Sequence, residues 1–128
     1  MQWSVLFNSS MCRVLLLIAV AVALTLALLP HPPHLPIDSL GDKVEHSLAF
    51  VVMTILAVGA YPEASLPRIG ERLSFLGALI EVLQSIPVLH RDCDVFDWIT
   101  DTLAIILTLL IVRLIRRQSP VRRFQLLR

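Results

Sequence analysis

The sequence predicts an all-α, polytopic membrane protein: four transmembrane helices in an antiparallel bundle, with both termini cytoplasmic. Three observations predict it. Of 128 residues, 56% are hydrophobic and only 16% charged, with a mean hydropathy of +0.78, too apolar for a soluble domain of this size. The apolar residues fall into four runs near the ~17–25 residues a helix needs to cross a bilayer. The ionisable residues segregate by sign between alternate loops.

The first run, Met11 to Leu29, carries Arg13 at its edge and Thr25 as its deep polar residue, so it reads as a packing helix. Its length, and the absence of a small-residue site at Leu28-Leu29-Pro30, favour an uncleaved span over a signal peptide. The linker His31-Pro32-Pro33-His34-Leu35-Pro36 is proline-rich and therefore extended, and Asp38 and Ser39 are read as caps for the second helix. That helix, Val44 to Tyr61, and the third, Ile69 to Pro87, flank a short loop, so they should be antiparallel neighbours. The fourth is Val95 to Ile115, followed by a basic tail over 118–128. Residues 1–128 form one domain. Cys12 and Cys93 fall on opposite sides of the membrane and cannot pair.

Charge sets the orientation. Arg13, Arg68, Arg72, Arg113, Arg116, Arg117, Arg122, Arg123 and Arg128 lie on one side, and Asp38, Asp42, Glu45, Glu81, Asp92, Asp94, Asp97 and Asp101 on the other. The net charge of +1 hides this asymmetry. Positive-inside logic puts both termini and the middle loop in the cytoplasm. The basic tail then suits anionic headgroups, and no nucleic-acid partner is expected.

The polar residues inside the spans define a candidate site. Asp42 and His46, Glu81 and Gln84, and Asp97 and Asp101 are spaced by three or four, so each pair shares a helical face. Counted at 1.5 Å per residue, His46 and Asp101 lie ~6 Å, and Glu81 ~9 Å, below the outer helix edges. Three helices thus bring His46, Glu81, Gln84, Asp97 and Asp101 to one layer, with Arg91 above it. Ionisable groups at bilayer depth are expensive and usually mark function. Phe50, Met53 and Ala57 continue the His46 face as an apolar wall, while Gly77 and Ala104 lie on small-residue stripes that let helices approach.

Glu81 and His46 are the candidate acid–base pair. Arg91 and Lys43 are candidate clamps for a phosphate or carboxylate, with Gln84 and Asp42 as further binding groups. Asp97 and Asp101 are candidate orienting or cation-holding groups. No metal or cofactor motif is recognisable, and no nucleophile motif either.

These residues, Asp42-Lys43-x-x-His46-x-x-x-Phe50, Gly77-x-x-x-Glu81-x-x-Gln84, then Arg91, Asp97 and position 101, in that order, resemble the VanZ-like family of small bacterial membrane proteins. The resemblance covers roughly 36–115. Where the family usually has Asn and Gly, this chain has Asp101 and Ala104. The resemblance implies a multi-pass protein of the bacterial cytoplasmic membrane. The family is named for a member associated with resistance to teicoplanin. The expected function is binding or modifying a lipid-linked cell-envelope component from the outer face. The alternatives are a transport or proton-relay element and a structural partner that self-associates through the small faces of the third and fourth helices.

Overall fold

A computed structural model of the chain describes residues 8–31, 33, 34, 36 and 41–118, with the side chain of Asp42 excepted. The predicted cap residues Asp38 and Ser39, and the tail beyond 118, lie outside the described residues. Among the described residues the fold is all-helical: α1 Ser9–Leu28, α2 Asp42–Ala60, α3 Leu66–Gln84, a 3-10 turn Pro87–Leu89, and α4 Val95–Gln118.

Each boundary has a local cause. Asn8 caps α1, its side chain accepting from the Ser10 amide at 3.0 Å. Gly41 is the N-cap of α2, at φ +93°, a conformation that favours glycine. The third helix begins and ends three residues earlier than predicted. Ser65 is its N-cap and Pro67 fits its first turn, where a missing N–H costs nothing. At the other end Pro87 disfavours helical backbone at Ile86, which lies at ψ 120°. The helix therefore stops at Gln84, and Glu81 sits in its last turn, nearer the helix end than predicted.

Three helices are long and apolar enough to cross a membrane: α1, the Lys43–Ala60 stretch of α2, and α4. α3 carries Arg68, Glu71, Arg72 and Glu81, and does not join them. α2 is the hub, packing on α1 and on α4, while α3 packs chiefly on α4 and more lightly on α2 and α1. The predicted wall is there: Phe50, Met53 and Ala57 are all buried in one core cluster with Leu73, Ile80, Ile105 and Leu109.

Two glycines make the α3 joint. A Cβ at Gly70 would come within 2.9 Å of Leu109, and one at Gly77 within 3.3 Å of Trp98 and 3.4 Å of Phe50. Gly77 is thus packed inside the bundle against Phe50 and Trp98. At the far end of the bundle, Arg13 donates from Nε to the Ala60 carbonyl at 3.0 Å and lies over the Tyr61 ring. It closes the C-terminus of α2, where carbonyls lack helical partners.

Candidate functional site

The end of the bundle opposite Arg13 carries a polar cluster, and one lysine organises it. Lys43, in the first turn of α2, donates to Asp94 at 2.8 Å and to Asp97 at 2.5 Å. It thereby ties α2 to the loop before α4 and to α4's own first turn. Asp94 is fastened on every side. Its amide donates to Glu81 Oε2 at 3.0 Å, and its Oδ1 accepts from the Phe96 amide at 2.9 Å. The Lys43 hydrogen bond, helped by the Phe96 amide, holds the Asp94 carboxyl below its ordinary range.

Beneath this surface layer lie the buried polar groups. Asp101 is 2% exposed, with Oδ2 at 3.9 Å from His46 Nδ1. Gln84 donates from Nε2 to the Ala27 carbonyl at 2.9 Å, bracing α3 against the end of α1. Trp98 Nε1 donates to the Ser74 carbonyl at 3.0 Å, and the Ser74 and Thr102 hydroxyls meet at 2.9 Å. Those bonds are satisfied pairs that hold α3 to α4. By contrast, Glu81 Oε1 and Asp101 Oδ1, and the Ser47 hydroxyl, are buried without a hydrogen-bond partner among the described residues. A buried polar atom left unpaired destabilises by roughly 1–3 kcal/mol, so each calls for a reason.

A cavity of about 560 Å³ opens at this end, lined by Gly41, Lys43, His46, Gln84, His90, Arg91, Asp92, Asp94 and Asp97. It contains charges of both signs. Arg91 is half-buried in its wall and forms no ion pair among the described residues, whereas Lys43 is engaged by two carboxylates. His90 is in the left-handed region at φ 49°, a conformation that histidine tolerates better than most side chains.

Seven of the predicted site residues are therefore at one end of the bundle, and the eighth, Asp42, has a side chain outside the described residues. Their roles differ from the predicted ones in two ways. Glu81 does not line the cavity; it stands behind it and holds Asp94. The carboxylate beside His46 is Asp101, so the predicted pairing of Glu81 with His46 is not the one the fold makes. Gln84 lines the cavity yet also serves as a brace. Sequence reasoning missed the part played by Asp94, which alone looks like a solvated loop charge, and that of Trp98, whose indole N–H is invisible to a charge count. Among the described residues no three His, Cys, Asp or Glu side chains group as ligands for a metal ion.

A scan against protein-family models and searches of curated proteins and of solved structures each give no match to this chain.

Proposed function

We propose that this chain is a VanZ-like integral membrane protein of the bacterial cytoplasmic membrane, whose polar end binds or modifies a lipid-linked envelope component from the outer face. In this reading α3 is a fourth span, the basic end is cytoplasmic, and the acidic loop faces outward. Two observations support the placement of α3. Phe75, Leu79 and Val82 form an exposed apolar face on it, and its charges other than Glu81 are confined to its first two turns, where side chains reach the interface.

One observation carries the functional reading: a cavity with an uncommitted arginine in its wall is backed by two buried carboxyl groups that each keep an unpartnered oxygen. Groups needed only to glue helices together would be paired, as Gln84, Trp98 and Ser74 are. Buried polar atoms stay unpartnered where something else is bound or a proton is moved. Arg91, with His90 beside it, supplies an anion-binding face suited to phosphate. His46 lines the cavity and is the group best placed to exchange a proton, with Asp101 behind it to orient the imidazole. Glu81 acts through Asp94, as a positioning residue.

The test is native mass spectrometry of the chain purified in mild detergent and loaded with a polyprenyl phosphate. Arg91→Gln should reduce retention of that lipid at least about fivefold, since one basic contact near a membrane surface is worth about 1 kcal/mol. Glu81→Gln keeps an acceptor for the Asp94 amide and should leave the protein folded while weakening retention. Undiminished retention in both variants would overturn the reading. A continuous proton relay has less support: toward the basic end, Thr54 and Thr108 bond their own helix carbonyls, leaving no ionisable chain between the ends among the described residues.

A further inference from the structure

We propose a second, separate lipid site at the basic end: an apolar cleft between α1 and α4 that takes an acyl chain of an anionic phospholipid, with the headgroup phosphate against Arg116 and the first turn of α1. This rests on the chain being in a membrane and is independent of the reading of the polar end.

The cleft follows from the packing order. α2 packs on both α1 and α4, but α1 and α4 do not pack closely on each other. The space between them, over α2, is a cavity of about 250 Å³. Its floor is Val51, Ile55 and Val58 of α2, and its walls include Cys12 of α1 and Thr108 and Val112 of α4. The lining is apolar. The Thr108 hydroxyl donates to the Ala104 carbonyl of its own helix at 2.8 Å and so offers the cleft no free donor. A void of this kind stays dry and accepts hydrocarbon, and in a bilayer the available hydrocarbon is a lipid tail.

Charge complementarity selects the lipid. Cys12, in the first turn of α1, and Ile115, near the end of α4, both line the cleft. The mouth therefore lies between the N-terminus of α1 and the C-terminal turn of α4. Arg116 follows Ile115 and stands one turn beyond Val112, which places it on the flank of the cleft-facing side. It is half-buried and has no ion-pair partner among the described residues. Arg13 is not a competitor for the headgroup, because it is already committed to Ala60 and Tyr61. Across the mouth, α1 presents its leading amides; among the described residues Asn8 takes those of Ser10 and Cys12, and no partner is described for those of Ser9 and Met11. Unfilled amides at a helix start attract phosphate oxygens. A zwitterionic headgroup would bring a second cation into this positive mouth, and an anionic one would not.

The experiment reconstitutes the full chain in vesicles of phosphatidylglycerol and phosphatidylcholine with matched tails, re-extracts it in mild detergent, and counts retained lipids by native mass spectrometry. The expected result is one retained phosphatidylglycerol per chain, favoured about fivefold over phosphatidylcholine by the single arginine. Arg116→Gln should erase that preference, whereas Arg72→Gln, at an exposed position on α3 away from the cleft, should leave it intact. Ile55→Trp, which narrows the cleft at a half-exposed position, should reduce retention of both lipids. Repeating the native chain with dihexanoyl phosphatidylglycerol asks the same question without a variant, and short tails should be retained several-fold less well. Equal retention of the two headgroups, an unchanged preference in Arg116→Gln, indifference to tail length, or a second copy of the chain seated in place of lipid would each overturn the proposal. Loss of the polyprenyl phosphate with this preference intact would concern the polar end alone.

Discussion

The two ends of the bundle treat polar groups in opposite ways. At the basic end the described polar groups in the core are answered: Arg13 closes α2, Thr54 and Thr108 bond their own helices, and Arg68, Arg72, Arg113 and Arg117 are exposed, with Arg116 half-buried beside the cleft. At the polar end, the surface layer is answered by Lys43, but the layer beneath it is not: one oxygen each of Glu81 and Asp101, and the Ser47 hydroxyl, are buried without a hydrogen-bond partner among the described residues. The same short chain thus shows what polar residues look like when they serve only the fold. The departure from that pattern is what singles out Glu81 and Asp101, more than their charge does.

That contrast can be broken at the joint on which it depends. Gly77→Leu should destabilise the bundle most, by about 3 kcal/mol, because overpacking pushes on both Phe50 and Trp98. Denaturation in detergent followed by circular dichroism measures it. Next comes a test of sign. Asp101→Leu should leave stability unchanged or raise it by roughly 1–2 kcal/mol, since a buried carboxyl with an unpartnered oxygen is removed, while retention of polyprenyl phosphate falls. A clear loss of stability would make Asp101 an ordinary structural group and erase the contrast. Gln84→Leu should lower stability by about 1 kcal/mol, because the Ala27 carbonyl loses its donor. Arg13→Gln should cost less, about 0.5 kcal/mol, as expected for an exposed helix-end interaction.

The smallest effect concerns pH. The Asp94 carboxyl lies below its ordinary value of 3.8 because Lys43 bonds it. A depressed carboxyl stabilises the fold fully above that ordinary value and loses its contribution as pH falls through the lower, folded one. Hydrogen exchange of the Asp94 amide, normalised to the intrinsic rate at each pH, should therefore report no added opening of the loop between pH 7 and pH 5. Asp94→Asn should speed it at both. Opening of the unsubstituted loop at pH 5 would show that the Lys43 latch is not what holds it.

Much of the core was legible because helical spacing is a strong signal. Phe50, Met53 and Ala57 lie on one face, and all three are buried. The gathering of His46, Glu81, Gln84, Asp97 and Asp101 at one end follows from alternating helix direction. Their partners were not legible. Lys43 meets Asp94 and Asp97 across 51 and 54 residues of chain, and no local pattern encodes a contact that depends on how three helices rotate. The third helix was misplaced by a turn because an apolar run was followed to Pro87, although proline acts on the residue before it. Gly70, which sets the closest approach of α3 to α4, stood beside charged residues and gave no sign of facing inward.

Composition and the order of apolar runs determined by themselves that this chain is all-helical, with helices apolar enough for a bilayer, and that most of its acids and most of its bases collect at opposite ends. These are properties of hydrophobicity and of 1.5 Å per residue, which need no knowledge of neighbours. Only tertiary packing decided which carboxylate faces His46, that Glu81 braces a loop, and that a cleft remains between α1 and α4. Those outcomes turn on helix rotation and on two glycines that let backbones close to contact, and side-chain burial and pairing exist only once the helices are together.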